Sequence, residues 1–485
     1  MTIYNDKLPE DVLLEIFDAY RQLYKLQPNY ENLWNSRDGW FKLAHVCLLW
    51  RRVVLLSSSR LHVHLLFTPR RPSKEPMLRC LPRFPILVDY SAASWTEKEE
   101  NLALAAIRHR SRVRRIALRR PCPCTMARLL KGLSYPFPEL ESLEICSTYG
   151  HCDHALFLPA TFLSGSAPCL RQLTLRKVES ECLSPLLSSA TSLVELALTL
   201  RVVYGVPPGA SLVANLQRLS CLRRLELKLS YRVVNLTHYS PPPPASTGDV
   251  VPLSKLTDLI FMGHGSYLQM LVVGLAAPSL QHLDAEVGSP NFPISHLCKF
   301  ICDTECQFIA VRLDFPHRKL KFSAETSSES DHAQSFRITI PEPVSLEQIG
   351  HMLSGPLSTV EELIVGWDVA PFAQQQLEQG HIQLRGFFNH IRQVKMVQMP
   401  SEVALGVAHS FQLDSQEPAL DLLLPALEQV KVHLSYVPPI GSNRNDQYVS
   451  ICDTFEPLIA ARQQVGRPIR LSWTGVTSTA RRLTA

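Results

Sequence analysis

The stretch Leu140-Glu-Ser-Leu143-Glu-Ile145 places apolar side chains at its first, fourth and sixth positions, and that spacing returns through most of the chain. It recurs as Val113-Ile116-Leu118, Leu170-Leu173-Leu175, Leu193-Leu196-Leu198, Leu222-Leu225-Leu227 and Leu256-Leu259-Phe261. It continues as Leu280-Leu283-Ala285, Phe308-Val311-Leu313, Val360-Leu363-Val365, Ile391-Val394-Met396 and Leu427-Val430-Val432. The fourth and sixth residues are two apart and share one face of a short strand, while the first sits at the turn leading into it.

Successive matches begin mostly about 23 to 36 residues apart, within or a little beyond the leucine-rich repeat period of about 20–29 residues. Burying three such side chains contributes roughly 5–9 kcal/mol, at about 1.5–3 each. Ordering the backbone costs on the order of 1–2 kcal/mol per residue. One repeat therefore cannot fold alone and must stack on its neighbours. Helical stretches such as Ser180–Ala190 and Tyr267–Ala277 alternate with the strands. The expected fold class is α/β: a short N-terminal helical module, then an irregular leucine-rich repeat solenoid with parallel strands on its concave side and helices or loops outside. An ordinary α/β domain with leucine-rich strands is the alternative. The asparagine that commonly follows the strand in such repeats is missing, so the turns need other partners for their backbone groups.

Two segments interrupt the array. Residues 237–252, THYSPPPPASTGDVVP, form a loop stiffened by Pro241–Pro244. Residues 323–335, SAETSSESDHAQS, form a polar tip between the alternating segments Lys319–Phe322 and Phe336–Ile340, which read as a hairpin.

With 485 residues, 46% of them hydrophobic and 19% charged, the chain is globular in composition and too long for one ordinary compact domain. Its start, MTIYNDKLPEDVLLEIF, carries acids where a secretory signal needs a basic region. The longest apolar run, near Met270–Ala277, is far short of the roughly 20 residues that span a bilayer. Thirteen cysteines lack the density of a disulfide scaffold. These features point to a reducing compartment, the cytoplasm or the nucleus or both.

Phosphate-loop, H-E-x-x-H and G-x-S-x-G motifs are missing, and Gly263-His264-Gly265-Ser266 reads as a turn. No catalytic residue and no cofactor is expected, and the chain reads as a non-enzyme. Cys122, Cys124, Cys146, His151, Cys152 and His154 hold enough ligands for zinc, but without the spacing of a C-x-x-C pair. His296, Cys298, Cys302 and Cys306 follow helical spacing and read as buried thiols. Net charge is only +5, yet residues 108–120 carry seven arginines. They either stay solvated around a core of Val113, Ile116 and Leu118, or receive an acidic protein surface, a phosphorylated segment or nucleic acid, the last the least favoured because few aromatics are interleaved. Outward strand positions Glu144, Thr174, Glu226 and Lys431 are candidate substrate contacts, because the x positions of L-x-L point away from the core.

At the N-terminus, Leu8-Pro9-Glu10-Asp11 opens a helix, with Pro9 in its first turn and acids where the helix dipole favours them. Val12, Leu13, Ile16 and Phe17 form an apolar stripe, and a second runs through Trp40, Leu43, Ala44, Cys47 and Trp50. Leu8, Pro9, Asp11, Leu13, Ile16 and Phe17, followed by Leu43, Val46, Cys47, Trp50, Arg51 and Val53, resemble the F-box pattern. With SSSRLHVHLLF and FPILVDY, and on into the repeats, the chain looks like the large F-box families of mushroom-forming fungi.

The resemblance implies that this module docks on a Skp-type adaptor of a cullin-RING ubiquitin ligase and that the repeats present a protein substrate. By it, Leu8, Pro9, Leu13, Ile16, Phe17, Val46, Trp50 and Val53 line the adaptor interface or its supporting core. Leu8 and Trp50 lie about a dozen residues farther apart than in a compact F-box, so the segment between Tyr20 and Trp40 extends the first helix or adds a loop. A helical cap over the first repeat is the competing role, compatible with docking. The expected organisation is a docking module at 1–66, a linker and cap at 67–110, repeats at 111–475 and a tail at 476–485.

Overall fold

In the computed structural model of the chain, the residues described are 8–27, 33–35, 39–68, 75–81, 83–90, 96–119, 123–146, 156–179, 183–202, 208–231, 250–289, 292–316, 319–326, 333–341, 345–366, 384–411, 423–434 and 444–474. They form two compact units, one of Met1–Tyr204 with Arg218–Leu222, the other of Gly205–Gln217 with Arg223–Ala485.

The first unit opens with helices α1 (Glu10–Lys25), α2 (Trp40–Ala44) and α3 (Leu48–Leu56). Strand β1 (Leu65–Phe67), helix α4 (Glu75–Cys80), strand β2 (Ile86–Tyr90), helix α5 (Glu97–Ile107) and strand β3 (Val113–Arg119) follow. Strands β4 (Ser142–Cys146), β5 (Gln172–Arg176) and β6 (Glu195–Val202) complete it. Each strand pairs in parallel with the next. Val88, Ile116, Leu143, Leu173 and Leu196 stand in one cross-strand row. Tyr90, Leu118, Ile145, Leu175 and Leu198 form the next, and all ten side chains are buried.

The parallel sheet begins at Leu65, inside the span expected to be docking module and linker. Leu65, Leu66 and Phe67, like Ile86–Tyr90, are buried on both faces. They therefore read as short apolar runs without the half-buried alternation of the later repeats.

The second unit holds β7 (Arg224–Tyr231), β8 (Asp258–Gly263), β9 (His282–Val287), β10 (Ala310–Asp314), β11 (Lys319–Glu325) and β12 (Ser335–Pro341). It continues with β13 (Glu362–Gly366), β14 (Met396–Pro400), β15 (Gln429–His433) and β16 (Arg470–Thr474). The spatial order is β7-β8-β9-β12-β11-β10-β13-β14-β15-β16. All pairings are parallel except those of β11, which is antiparallel to both its neighbours. The expected hairpin is present, and it does more than interrupt the array: β11 and β12 enter the sheet between two repeat strands, with Leu320, Phe322, Phe336 and Ile338 in the core. Strand pairing reaches Glu325 on one side and starts at Ser335 on the other, so Ser323 and Ala324 belong to a strand and not to the tip.

Ten of the eleven apolar triplets are buried as expected, and one is out of register. Met396 lies opposite Glu362 and Gln429 on the outward face, whereas Val397 and Met399 are buried. The triplet of that repeat is Val394-Val397-Met399, three residues later than expected. The backbone agrees: Val394 N–H closes a turn on Ile391 O, as Leu140 does on Phe137 O, Leu170 on Ala167 O and Val360 on Leu357 O. In the last strand, Leu471 and Trp473 align with Val430 and Val432 and are half-buried, a further strand beyond the eleven apolar triplets.

The missing asparagines are compensated in part by the main chain. Where the chain runs into a strand, one carbonyl of the preceding repeat accepts two successive N–H groups. Glu141 O receives Arg171 and Gln172, Arg171 O receives Val194 and Glu195, and Thr257 O receives Gln281 and His282. Ile309 O, Glu361 O and Lys395 O do the same for later repeats. Of the proline loop 237–252, only Val250–Pro252 is described, and Val251–Pro252 pairs with Leu275–Ala276. Among the described residues no helix is long and apolar enough to cross a membrane.

Candidate functional site

Helix α1 starts with Pro9 at its N-cap and Glu10 and Asp11 in its first turn, where backbone N–H groups lack partners and negative charge is favoured. It has two apolar faces. Leu13 and Phe17 are fully buried, and Phe17 meets Trp50 of α3 edge-on with ring centroids 4.9 Å apart. Val53 and Val54 of α3 complete this core. About 100° round the helix, Val12, Ile16 and Leu23 are exposed. The candidate adaptor-binding residues therefore divide. Leu13, Phe17 and Val53 are core, Trp50 is half-buried against Phe17, Leu8 is half-buried, and Pro9, Ile16 and Val46 are exposed.

Helix α3 begins at Cys47, whose Sγ accepts the Trp50 N–H. Its outer side carries Leu48 and Leu56, 79% and 67% exposed. Among the described residues, fifteen large apolar side chains are exposed, and seven of them lie between Val12 and Leu56. That concentration distinguishes the helical module from the repeats.

The segment between Tyr20 and Trp40 continues α1 to Lys25 and then returns a tryptophan to it. Trp34 is fully buried beside Tyr20 and Tyr24, and its Nε1 donates to Leu61 O at 2.8 Å. Asn35 Oδ1 accepts from His64 N at 2.7 Å, directly before β1. Arg60 pairs with Glu15 and Asp18, and Arg21 donates to Arg60 O. A Cβ on Gly39 would lie 2.0 Å from Trp34 O, so only glycine lets α2 start so close to the tryptophan backbone. Sequence reasoning missed Trp34; a lone tryptophan between polar residues carries no periodicity.

His64 is held neutral by burial, with the Arg114 charge adding to the effect and a hydrogen bond to the His62 backbone opposing it, and its pKa falls to about 4. Unfolding frees the imidazole to bind a proton near its usual value of about 6.5. Stability supplied by neutral His64 is complete above that value and is lost as pH falls from about 6.5 towards 4. Denaturation of wild-type and His64→Gln proteins across this range should differ in slope, the wild type losing about 2–3 kcal/mol more. Parallel pH profiles would refute the assignment.

The four candidate substrate contacts differ in kind. Thr174 and Lys431 are half-exposed on outward strand positions, as expected. Glu144 is half-buried and held by Arg119 through two hydrogen bonds of 2.6 and 2.7 Å. Burial raises its pKa, but Arg119, with help from Cys146 and Arg115, outweighs this and keeps the carboxyl below its usual value. Glu226 is only 6% exposed, with Lys228 at 2.9 Å and Arg224 at 3.8 Å. It is a neutralised buried acid and not an open contact.

The arginine segment is also largely engaged within the chain. Val113, Ile116 and Leu118 are core. Arg112 donates to Leu78 O, Leu81 O and Phe84 O, Arg114 pairs with Glu141, and Arg110 lies 3.6 Å over the Tyr135 ring. These arginines are tied to the chain itself more than the solvated reading allowed. Cys298 and Cys306 are buried, and burial pushes the Cys298 thiol up to about 12. His296 is exposed, away from them. Of the possible zinc group, Cys122, His151, Cys152 and His154 lie outside the described residues, Cys124 is exposed, and Cys146 bonds Glu144. Among the described residues no group of His, Cys, Asp or Glu is placed to hold a metal ion.

No protein-family model matches the chain, and no curated protein is significantly similar to it.

Proposed function

We propose that the chain is the substrate-receptor subunit of an SCF-type cullin-RING ubiquitin ligase, docking through its helical module on a Skp-type adaptor and holding a protein substrate on its repeats. The observation that carries this reading is the cluster of exposed apolar side chains on α1 and α3, next to the residues that resemble an F-box. A surface of this kind is costly to leave in water and marks a protein interface. The receptor does no covalent chemistry. It acts in the cytoplasm or nucleus by raising the effective concentration of substrate lysines near the charged conjugating enzyme of the ubiquitin pathway.

Co-purification with a Skp-type adaptor tests it. Leu13, Phe17 and Val53 are unsuitable probes because their loss opens the core, whereas Ile16→Asp and Val46→Asp change the surface. Their expected effect is an adaptor affinity at least about a hundredfold weaker, the order of a hot-spot loss, with an unchanged melting temperature. Equal binding by both variants, or no binding by the intact chain, would sink the reading.

A second reading makes the module a cap and the repeats a leucine-rich protein-binding scaffold with no ligase connection. It is favoured by the two hydrogen bonds just before β1, one donated by Trp34 to Leu61 O and one accepted by Asn35 from His64 N–H. It predicts that Ile16→Asp and Val46→Asp leave every partner interaction of the repeats and their cellular effect unchanged.

A further inference from the structure

The outward face of α3 carries charge as well as apolar surface, and the charge is of one sign. Leu48, Arg52 and Leu56 are four residues apart and lie along one side of the helix, all exposed. Arg51 flanks them, exposed, with its Nε bonded to Ala44 O. Val46 and Lys42 are exposed just before the helix. From Gly39 to Arg60 the sequence contains four Lys or Arg and no Asp or Glu. Of the four, Arg60 is committed to Glu15 and Asp18, whereas Arg51 and Arg52 form no ion pair among the described residues.

We infer that α3 docks on an acidic protein surface, one that buries Leu48 and Leu56 in apolar contacts and sets carboxylates opposite Arg51 and Arg52. The inference rests on the adaptor-docking reading and adds the chemistry of the adaptor's face to it. Two apolar anchors one helical turn either side of a guanidinium fix the register, since Arg52 meets its carboxylate only when both leucines are seated. A cationic rim acts mainly on encounter, drawing an acidic partner in before the apolar contacts form. An anionic membrane is the poorer fit, because nine residues of helix with two exposed leucines bury little apolar surface in a bilayer.

The test titrates the full-length chain with purified Skp-type adaptor at about 0.05 and about 0.5 M salt, conditions that bracket strong and weak screening. The expected results are an association rate at least about tenfold lower at high salt, and a Kd at least about tenfold higher for Arg52→Glu. Arg52→Lys should retain most of the affinity, and the melting temperatures of both variants should match wild type. Leu48→Asp should weaken binding at both salt concentrations. Adaptor binding that ignores salt and Arg52→Glu overturns the acidic-partner inference and leaves docking standing. No binding by the wild-type chain overturns both. Binding to phosphatidylserine vesicles in place of adaptor, lost in Arg52→Glu, assigns the patch to a lipid surface and overturns the inference as well.

Discussion

Trp34→Ala is expected to lower the unfolding free energy of the first unit by about 3–5 kcal/mol, the range for truncating a fully buried tryptophan. The residue is enclosed by Tyr20 and Tyr24 of α1, and its indole N–H satisfies Leu61 O. Truncation leaves a cavity and an unpaired carbonyl in one step. Loss of the ring also removes what holds the last turns of α1 beside β1. The first measurable change should therefore be hydrogen-exchange protection in Tyr20–Lys25 and Leu61–Phe67, followed by a lower midpoint in chemical denaturation. Leu23→Ala, on the exposed side of the same helix, is the control and should change stability by less than about 0.5 kcal/mol. A Trp34→Ala protein as stable as wild type would mean that the segment between Tyr20 and Trp40 is an ornament on the module and not part of its core.

What could be read from the residues follows from which physical signal each one carries. Leu143 and Ile145, or Leu173 and Leu175, alternate with polar neighbours, and the alternation alone predicts a half-buried strand with the right face inward. The tenth repeat misled because Ile391, Val394, Val397 and Met399 contain overlapping apolar spacings. Only the pairing of Val397 with Leu363 and Val430 selects between them. The hairpin Lys319–Pro341 was legible as a hairpin, but its insertion between β9 and β10 depends on contacts far apart in sequence, such as Ser335 N–H to Gln281 O. In the helical module Val12 and Ile16 are as apolar as Leu13 and Phe17. Which pair faces inward is decided by Trp50, and a single helix cannot record that. Outward position on a strand likewise does not guarantee exposure, as Glu226 demonstrates between Arg224 and Lys228.

Arg462→Met is expected to cost the second unit about 2–4 kcal/mol, the scale for losing charge-assisted hydrogen bonds and stranding buried acceptors. Arg462 lies in the helix Arg444–Gln464, has no exposed surface, and is buried without a carboxylate partner among the described residues. Its guanidinium instead donates to Leu423 O, Leu424 O and Pro425 O at 2.7, 2.5 and 3.3 Å. These carbonyls belong to the turn that leads into Leu427-Val430-Val432, and Leu424 holds a left-handed φ of 50° there. A non-glycine residue in that region is strained, so the turn depends on partners that over-determine it, and Arg462 is one of them. Methionine keeps most of the packing volume but supplies no donor. Lysine keeps the charge but cannot span three carbonyls from one planar fork. Arg462→Lys should therefore recover only part of the loss, and Arg462→Met should cost less in a Leu424→Gly background, where no left-handed side chain needs holding, than in the wild type, even though removing the buried leucine itself lowers stability. Denaturant midpoints for the four proteins form a double-mutant cycle. A cycle with no coupling between the two positions would show that burial of the arginine is incidental and that the turn is set by its own backbone.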